Sequence, residues 1–311
     1  MGRDNWSVGS VPSISFRKRR PPRRTFGLVV LALTAIVIIM LIWAFAAGSD
    51  LTPVASPGPS ASISPPSPTA DEQPVEAPHF KNTKAPSESE KERTLERLMS
   101  YNAPILCGAG KLPLVALTFD DGPGEFTPYT IDTLRSARAP ATFFVVGRMF
   151  GPRSTQKLVQ REAQLGEVGN HTWTHAALAG ASRGELKREV DRTSKAIERA
   201  TGEPPLLFRP PLGSRDSALD RYISSNGMLE VLWSLETRDS LGANTEQILR
   251  NVNKGLSAGD IILMHENRGT TRAALPEILN MIYLKELQPV TVTDLLALDP
   301  PTRNQVNKRD C

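Results

Sequence analysis

Three of the four histidines in this sequence of 311 residues fall in short motifs that could form one metal-dependent active site. His171 and His175 lie four residues apart, and the acidic pair Asp120 and Asp121 precedes them in the chain. Two imidazoles and one carboxylate are a common ligand set for a catalytic zinc ion that keeps further positions open to water and substrate. A second carboxylate and a third histidine, His265, would supply a proton acceptor and a proton donor. These residue types predict a metallohydrolase.

The elements that must position these residues alternate between strands and helices from about residue 112 onward. Amphipathic stretches predict the helices, one of which opens with a capping box at Ser182 and Glu185. Short apolar runs predict strands at 114–119, 141–147, 167–171, 206–209, 228–235, 261–265 and 290–292. Such alternation indicates parallel strands joined by crossover helices, and the fold class is therefore predicted to be α/β.

The residues that could do chemistry stand at or just past the ends of these predicted strands. They are Asp120, Asp121, His171, Arg209, Glu236 and His265. In a parallel sheet the carboxyl ends of the strands meet on one side, where active sites form. Each residue has a structural explanation when it is taken singly, since acids before Gly-Pro are common in turns and a lone histidine can belong to a core. Their common placement favours one shared site.

Four motifs make the sequence resemble the polysaccharide deacetylases of carbohydrate esterase family four, which contain a NodB homology domain. The motifs are Thr-Phe-Asp-Asp-Gly-Pro at 118–123, His-Thr-Trp-Thr-His at 171–175, Arg-Pro-Pro at 209–211 and Leu-Met-His at 263–265. The resemblance covers about residues 112–298. It implies a distorted (β/α) barrel of about seven parallel strands.

The resemblance also implies a metal site and a base. Asp121, His171 and His175 would hold one divalent metal ion, with zinc as the expected ion. Asp120 would act as the general base, and Arg209 would orient it and pair with its charge. A metal ion lowers the pKa of water towards about 7, which would supply the nucleophile at neutral pH.

On the leaving-group side, the resemblance implies that His265 protonates the departing amine. The backbone N–H of Leu212, which follows Pro211, would help to stabilise the oxyanion. The family has a further motif, its fourth along the chain, which is not among the four matches above and falls at 236–240 in this sequence. It departs from the family pattern, because Glu236 replaces the aspartate that supports the catalytic histidine and Ser240 replaces a tryptophan. We expect Glu236 still to accept a hydrogen bond from His265, in a sugar site that is more open.

The N-terminal region predicts a membrane anchor. A basic cluster at 17–24 carries six positive charges, whereas the 24 residues at 25–48 carry none. About 20 apolar residues suffice to cross a bilayer as a helix. The positive charges favour a cytoplasmic tail at 1–24, a transmembrane helix at 25–48 and a location outside the cytoplasm for everything after it. The alternative is a cleaved signal peptide, since Ala44 and Ala46 have the small-x-small form of a cleavage site.

Residues 49–106 are predicted to form a linker, and residues 107–311 the catalytic domain. Proline, serine and alanine dominate the first part of the linker, and such a composition buries too little apolar surface to fold. The two cysteines of the chain, Cys107 and Cys311, stand at the two ends of the predicted domain. Outside the cytoplasm they can form a disulfide, and two free thiols are the alternative.

The net charge of +4 is no reason to expect a nucleic-acid partner, because the basic cluster at 17–24 exceeds the whole positive balance. The sequence instead predicts a membrane-tethered hydrolase that removes N-acetyl groups from N-acetylglucosamine units of a cell-surface polysaccharide, foremost peptidoglycan. A chitooligosaccharide deacetylase and an O-acetyl esterase acting on xylan-type chains are alternatives with the same chemistry. A wall-binding protein with weak catalysis is an alternative of another class. A two-metal phosphohydrolase is disfavoured because too few ligands are present.

Overall fold

The computed structural model describes residues 78–81, 83–151 and 153–308. No helix in this part of the chain is both long enough and apolar enough to cross a membrane. The predicted tail at 1–24, the predicted anchor at 25–48 and Cys311 lie outside the described residues. Cys107 is buried at the start of the domain, and its pairing with Cys311 stays a prediction.

The centre of the fold is a parallel sheet in the order β5-β4-β3-β2-β1-β7-β6, with β8 paired to the start of β1. Its strands are β1 Leu114–Gly122, β2 Thr142–Val145, β3 Glu167–Asn170, β4 Leu207–Phe208, β5 Leu229–Glu230, β6 Leu235–Glu236, β7 Ile261–His265 and β8 Gln288–Val290. β1 and β7 are buried along almost their whole length, which matches their continuous apolar sequences. β1 therefore lies in the interior with neighbours on both sides.

Helices connect the parallel strands, as crossover connections require. In chain order they are α1 Glu88–Met99, α2 Thr127–Ala137, α3 Arg153–Leu165, α4 Arg183–Leu186, α5 Arg192–Thr201, α6 Ser217–Ser225, α7 Thr245–Gly255, α8 Gly269–Leu284, α9 Val292–Leu298 and α10 Arg303–Lys308. A π-helical turn, Lys187–Asp191, joins α4 to α5. The capping box predicted at Ser182 and Glu185 is present at the start of α4.

The predicted α/β class is confirmed, with eight strands instead of about seven. The difference arises because the predicted strand at 228–235 is divided into β5, which pairs with β4, and β6, which pairs with β7. Among the described residues no ladder joins β5 to β6, so the sheet is a half-barrel. Between the two strands, Val231 forms an isolated parallel bridge with Ile105.

Part of the range that was predicted as linker is folded. The chain joins the domain at Phe80, which is buried and donates its N–H to the carbonyl of Ala137 at 3.0 Å. α1 follows after a capping box at Ser87, and it buries Leu95 and Leu98 against the domain core. The prediction of a linker up to residue 106 is therefore wrong from about residue 80 onward. α1 was missed because most of its residues are charged and only two of them enter the core.

Candidate active site

Parallel pairing brings the predicted base and the predicted acid to one edge of the sheet. β1 and β7 pair with Asp120 directly opposite His265. β3 lies on the other side of β2 and ends at Asn170, so His171 follows at the same edge. The carboxyl ends of these strands therefore gather the residues that the sequence singled out.

Asp121, His171 and His175 lie together at this edge. Oδ1 of Asp121 is 3.1 Å from Nε2 of His175 and 3.7 Å from Nε2 of His171. One ligand atom from each of the three residues lies within 4.8 Å of the others, which is close enough to bind a single ion. Oδ1 of Asp121 is buried and finds no hydrogen-bond donor among the described residues. A cation at this point would satisfy that oxygen, so the three side chains fit a metal ion.

The environment of His171 prepares its ring to bind a cation. Nδ1 lies 2.7 Å from the backbone carbonyl of Arg209. Because a carbonyl can only accept, the proton is on Nδ1, and the lone pair of Nε2 faces Asp121. Burial lowers the pKa of His171 below its ordinary value, although the carboxylates of Asp120 and Asp121 oppose that effect. The ring therefore stays neutral, as a metal ligand must.

Asp120 is held by the fully buried side chain of Arg209. Nη1 of Arg209 donates to Oδ1 of Asp120 at 2.8 Å and to the hydroxyl of Thr118 at 2.7 Å. Its Nη2 donates to the carbonyl of Leu232 at 2.8 Å, so the guanidinium is fixed on two sides. Oδ2 of Asp120 remains on the side of the metal ligands, 3.7 Å from Nε2 of His171. This arrangement leaves one carboxylate oxygen available as a proton acceptor.

The ring of His265 is held by Asp239. Nδ1 of His265 donates to Oδ1 of Asp239 at 2.8 Å, while Oδ2 accepts the backbone N–H of His265 at 2.7 Å and the hydroxyl of Thr271 at 2.5 Å. Nε2 of His265 is therefore the nitrogen that remains for proton transfer. Burial alone would lower the pKa of His265, but the hydrogen bond to Asp239 and the nearby carboxylates raise it above its ordinary value. These contacts suit a proton donor near neutral pH.

The structure corrects the role that the sequence gave to Glu236. Glu236 pairs in register with Leu263, two residues before His265. The chain then turns at Arg238, whose φ is 63°, and the 3-10 turn that follows brings Asp239 against His265. The predicted hydrogen bond from His265 to Glu236 is therefore wrong, and Asp239 takes its place. The available signal was that Asp239 is the second acid of the same motif.

Pro211 and Leu212 lie in a short 3-10 turn, Pro211–Gly213, directly after Arg209 and Pro210. Pro211 is buried, whereas 80% of the surface of Leu212 is exposed. The backbone of Leu212 has a φ of 59°, in the left-handed region that a leucine seldom adopts. The turn therefore directs an apolar side chain outwards beside the buried arginine. The oxyanion role of the Leu212 N–H stays a prediction.

A parallel half-barrel that gathers an oriented carboxylate, a supported histidine and a candidate metal centre at its carboxyl edge is the arrangement expected of a hydrolase. More particularly, residues 108–231 match the profile of the family described as "Polysaccharide deacetylase". The chain is also 37% identical over 190 residues to a peptidoglycan-N-acetylglucosamine deacetylase of Bacillus cereus, and this match covers 59% of the chain and 88% of that relative. The chain therefore belongs to the polysaccharide deacetylase family.

Two further similarities differ in how much of each protein they cover. The peptidoglycan-N-acetylglucosamine deacetylase PgdA of Listeria monocytogenes is 35% identical over 183 residues, which span 58% of this chain but only 38% of that protein. A solved structure of a carbohydrate esterase family four pseudoenzyme from Bacillus anthracis superposes with a TM-score of 0.59 at 28% identity. That superposition covers 64% of this chain and 70% of the other.

Proposed function

We propose that this protein is a metal-dependent deacetylase that removes N-acetyl groups from N-acetylglucosamine units of peptidoglycan. The peptidoglycan-N-acetylglucosamine deacetylases of Bacillus cereus and Listeria monocytogenes support the reaction class and the polymer. The observation that carries the proposal is Oδ1 of Asp121, which is buried, has no hydrogen-bond donor among the described residues and faces Nε2 of His171 and of His175. A divalent ion held by Asp121, His171 and His175, with zinc expected, would activate water and polarise the acetamide carbonyl.

The residues around this centre can move the protons that amide hydrolysis requires. Asp120 accepts the proton of the attacking water through Oδ2, because Oδ1 is engaged by Arg209. An amide nitrogen leaves poorly unless it is protonated as it departs, so the reaction also needs an acid. His265 supplies that proton from Nε2 while Asp239 stabilises the charged ring through Nδ1. The products are acetate and a glucosamine unit with a free amine.

Acetate release tests this proposal directly. The full chain, purified in detergent, is assayed on N-acetylglucosamine oligomers and on purified peptidoglycan, with added zinc and with a chelator. We expect acetate only with metal, and we expect Asp120→Asn to lose about 100-fold or more of the activity, because it removes the general base. Glu236→Gln is the matched control, since Glu236 lies in the same region but does not contact His265. Equal activity of Asp120→Asn and the wild-type protein would contradict the proposal.

The same assay separates the alternatives. If acetate is released from chitin oligomers or acetylated xylan but not from peptidoglycan, the proposed reaction is retained and the proposed substrate is wrong. Zinc binding without acetate release from any of these polymers would favour the wall-binding alternative.

We also propose that residues 25–48 anchor the domain at the outer face of the membrane, as their composition indicates. Membrane fractionation and mass determination of the N-terminal peptide test this part. A membrane-bound chain that retains residues 25–48 is expected. A released chain that starts shortly after Ala46 would establish the cleaved signal peptide instead.

A further inference from the structure

Three residues form the loop between the two predicted metal-ligand histidines, and the backbone N–H of each of them donates a hydrogen bond to a side chain. The N–H of Thr172 donates to Oδ1 of Asn170 at 2.9 Å. Oε2 of Glu189 accepts the N–H of Trp173 at 2.9 Å and the N–H of Thr174 at 2.7 Å. Oε1 of the same carboxylate accepts the hydroxyl of Thr174 at 2.9 Å. Glu189 alone therefore receives three hydrogen bonds from this loop.

The backbone of this loop requires such support. Thr172 and His175 have φ values of 65° and 64°, in the left-handed region that residues with a side chain seldom adopt. Such conformations persist only where the surrounding structure fixes them. Trp173 and Thr174, whose amides Glu189 binds, lie between these two positions.

Contacts on the opposite side of the loop hold its carbonyls. The N–H groups of Gly147 and Arg148 donate to the carbonyls of Thr172 and Trp173, each at 2.9 Å. The ring of Trp173 packs so closely on Gly147 that an added Cβ would lie 2.4 Å from it. Arg192 covers the same ring, with its guanidinium carbon 3.6 Å from the ring centre. Glu189 thus completes a set of contacts on both sides of the loop.

The π-helical turn Lys187–Asp191 places Glu189 in reach of the loop. Nδ2 of Asn170 donates to the carbonyl of Val190 at 2.9 Å, and the hydroxyl of Thr193 donates to the carbonyl of Glu189 at 2.8 Å. Asn170 therefore contacts both the loop, through Thr172, and the π turn. Single π-helical turns occur frequently at functional sites, where they redirect a side chain.

The two histidines differ in what orients them. The ring of His171 is fixed by the carbonyl of Arg209. Among the described residues, the ring of His175 has an ion pair with Asp121 and an edge contact with the ring of His171. A ligating histidine is usually oriented by a hydrogen bond at its second nitrogen. In the part of the chain that the structure describes, the second nitrogen of His175 has no such hydrogen bond, so the orientation of its ring depends on the backbone that carries it.

We infer that Glu189 is a positioning residue for the metal centre, which fixes the orientation of His175 through the Trp173 and Thr174 amides. This inference rests on the proposed function only in that the two histidines bind a divalent ion. It assigns a role to a carboxylate that belongs to none of the four sequence motifs. Loss of Glu189 should weaken metal binding without removing a ligand or a proton-transfer group.

The experiment measures zinc affinity of the metal-free full chain by competition with a chromophoric chelator, for the wild-type protein, Glu189→Ala and Glu189→Gln. Loss of a partner that hydrogen-bonds a metal ligand directly typically weakens affinity by about 10–100-fold. Glu189 acts on His175 only through the neighbouring amides, so we expect Glu189→Ala to fall at the lower end of that range. Glu189→Gln keeps one acceptor oxygen, so its affinity should lie between those of the other two. Glu198→Gln, an equal charge change on the exposed face of α5, is the matched control and should bind as the wild-type protein does.

Two additional measurements distinguish a role of Glu189 in positioning His175 from a role in the stability of the fold. The melting temperature of each metal-free variant should stay close to that of the wild-type protein, and acetate release by Glu189→Gln should recover at saturating zinc. If Glu189→Ala does not fold, the intermediate affinity of Glu189→Gln decides the question.

Unchanged zinc affinity in a folded Glu189→Ala protein would overturn the inference. The same conclusion would follow if Glu198→Gln weakened zinc affinity as much as Glu189→Gln does. A wild-type chain that binds zinc but releases no acetate would refute the proposed function and leave this inference intact. A wild-type chain that binds no zinc would refute both.

Discussion

Replacing Asp239 by asparagine should lower the pH at which the enzyme loses activity on the alkaline side. Oδ1 of Asp239 accepts the hydrogen bond from Nδ1 of His265 at 2.8 Å, and its negative charge stabilises the protonated ring. Although burial opposes ionisation, the hydrogen bonds and charge of His265 hold the pKa of Asp239 below its ordinary value, so the carboxylate is ionised at neutral pH. Asparagine keeps the shape of the side chain and removes the charge.

The magnitude follows from the strength of one hydrogen bond between charged groups. Such a bond contributes about 1.5–3 kcal/mol, and one pKa unit corresponds to about 1.4 kcal/mol. The pKa of His265 should therefore fall in Asp239→Asn, because the protonated ring loses a stabilisation of this size. Because His265 must be protonated to act as the acid, the alkaline limb of kcat/KM should move down by the same amount. Well above both pKa values the rate should fall about 10–100-fold.

The assay is acetate release from N-acetylglucosamine oligomers at saturating zinc over a range of pH, together with the zinc content and melting temperature of each variant. Glu236→Gln is the matched control, because the sequence alone would have assigned the supporting role to Glu236. We expect its alkaline limb to coincide with that of the wild-type protein. The prediction is refuted if the alkaline limb of kcat/KM in Asp239→Asn coincides with that of the wild-type protein. It is also refuted if Glu236→Gln shifts this limb by as much as Asp239→Asn does.

Three further perturbations test other parts of the structure. His175→Ala should abolish stoichiometric zinc binding, measured by metal analysis after dialysis, whereas retained zinc would exclude His175 as a ligand. Burial raises the pKa of Glu266 to about 8, so the folded state binds the extra proton. The free energy of unfolding should therefore fall as pH rises from about 4.5 to 8, by at most about 5 kcal/mol. Denaturant titrations should show a smaller fall for Glu266→Gln, and an identical pH slope would contradict this. Leu212→Gly should raise the melting temperature by relieving the positive φ, and a lower one would show that the exposed side chain stabilises the fold.

The sequence predicts the α/β class and the edge of the sheet at which Asp120 and His265 lie, because the governing signals are local. An apolar run that ends in Asp120 or in His265 indicates a strand. The point where the run ends indicates the edge of the sheet at which its last residue lies. Parallel pairing then places such ends side by side, which the register of β1 with β7 confirms. These signals need no knowledge of loop geometry.

The contacts of Asp239 and Glu189 depend on loop geometry, and the sequence did not predict them. Asp239 reaches His265 only because the chain turns through a positive φ at Arg238, and nothing in the spacing of the fourth motif reveals that turn. Glu189 reaches the histidine loop from a π-helical turn, a rare conformation that hydrophobic periodicity does not signal. In both cases the deciding contact joins a carboxylate to backbone or side-chain groups of another segment.

The buried arginine at the end of β4 has a consequence for how the specificity of this enzyme can be redesigned. The side chain of Arg209 fixes the base, while its backbone carbonyl fixes the tautomer of His171. A change at Arg209 therefore disturbs the proposed base and a proposed metal ligand together. Leu212, three residues later, and Leu241, in the turn that begins at Asp239, expose 80% and 73% of their surfaces. Libraries that vary these two leucines can alter the exposed apolar surface of the turns that follow Arg209 and Asp239, while both of those residues stay unchanged.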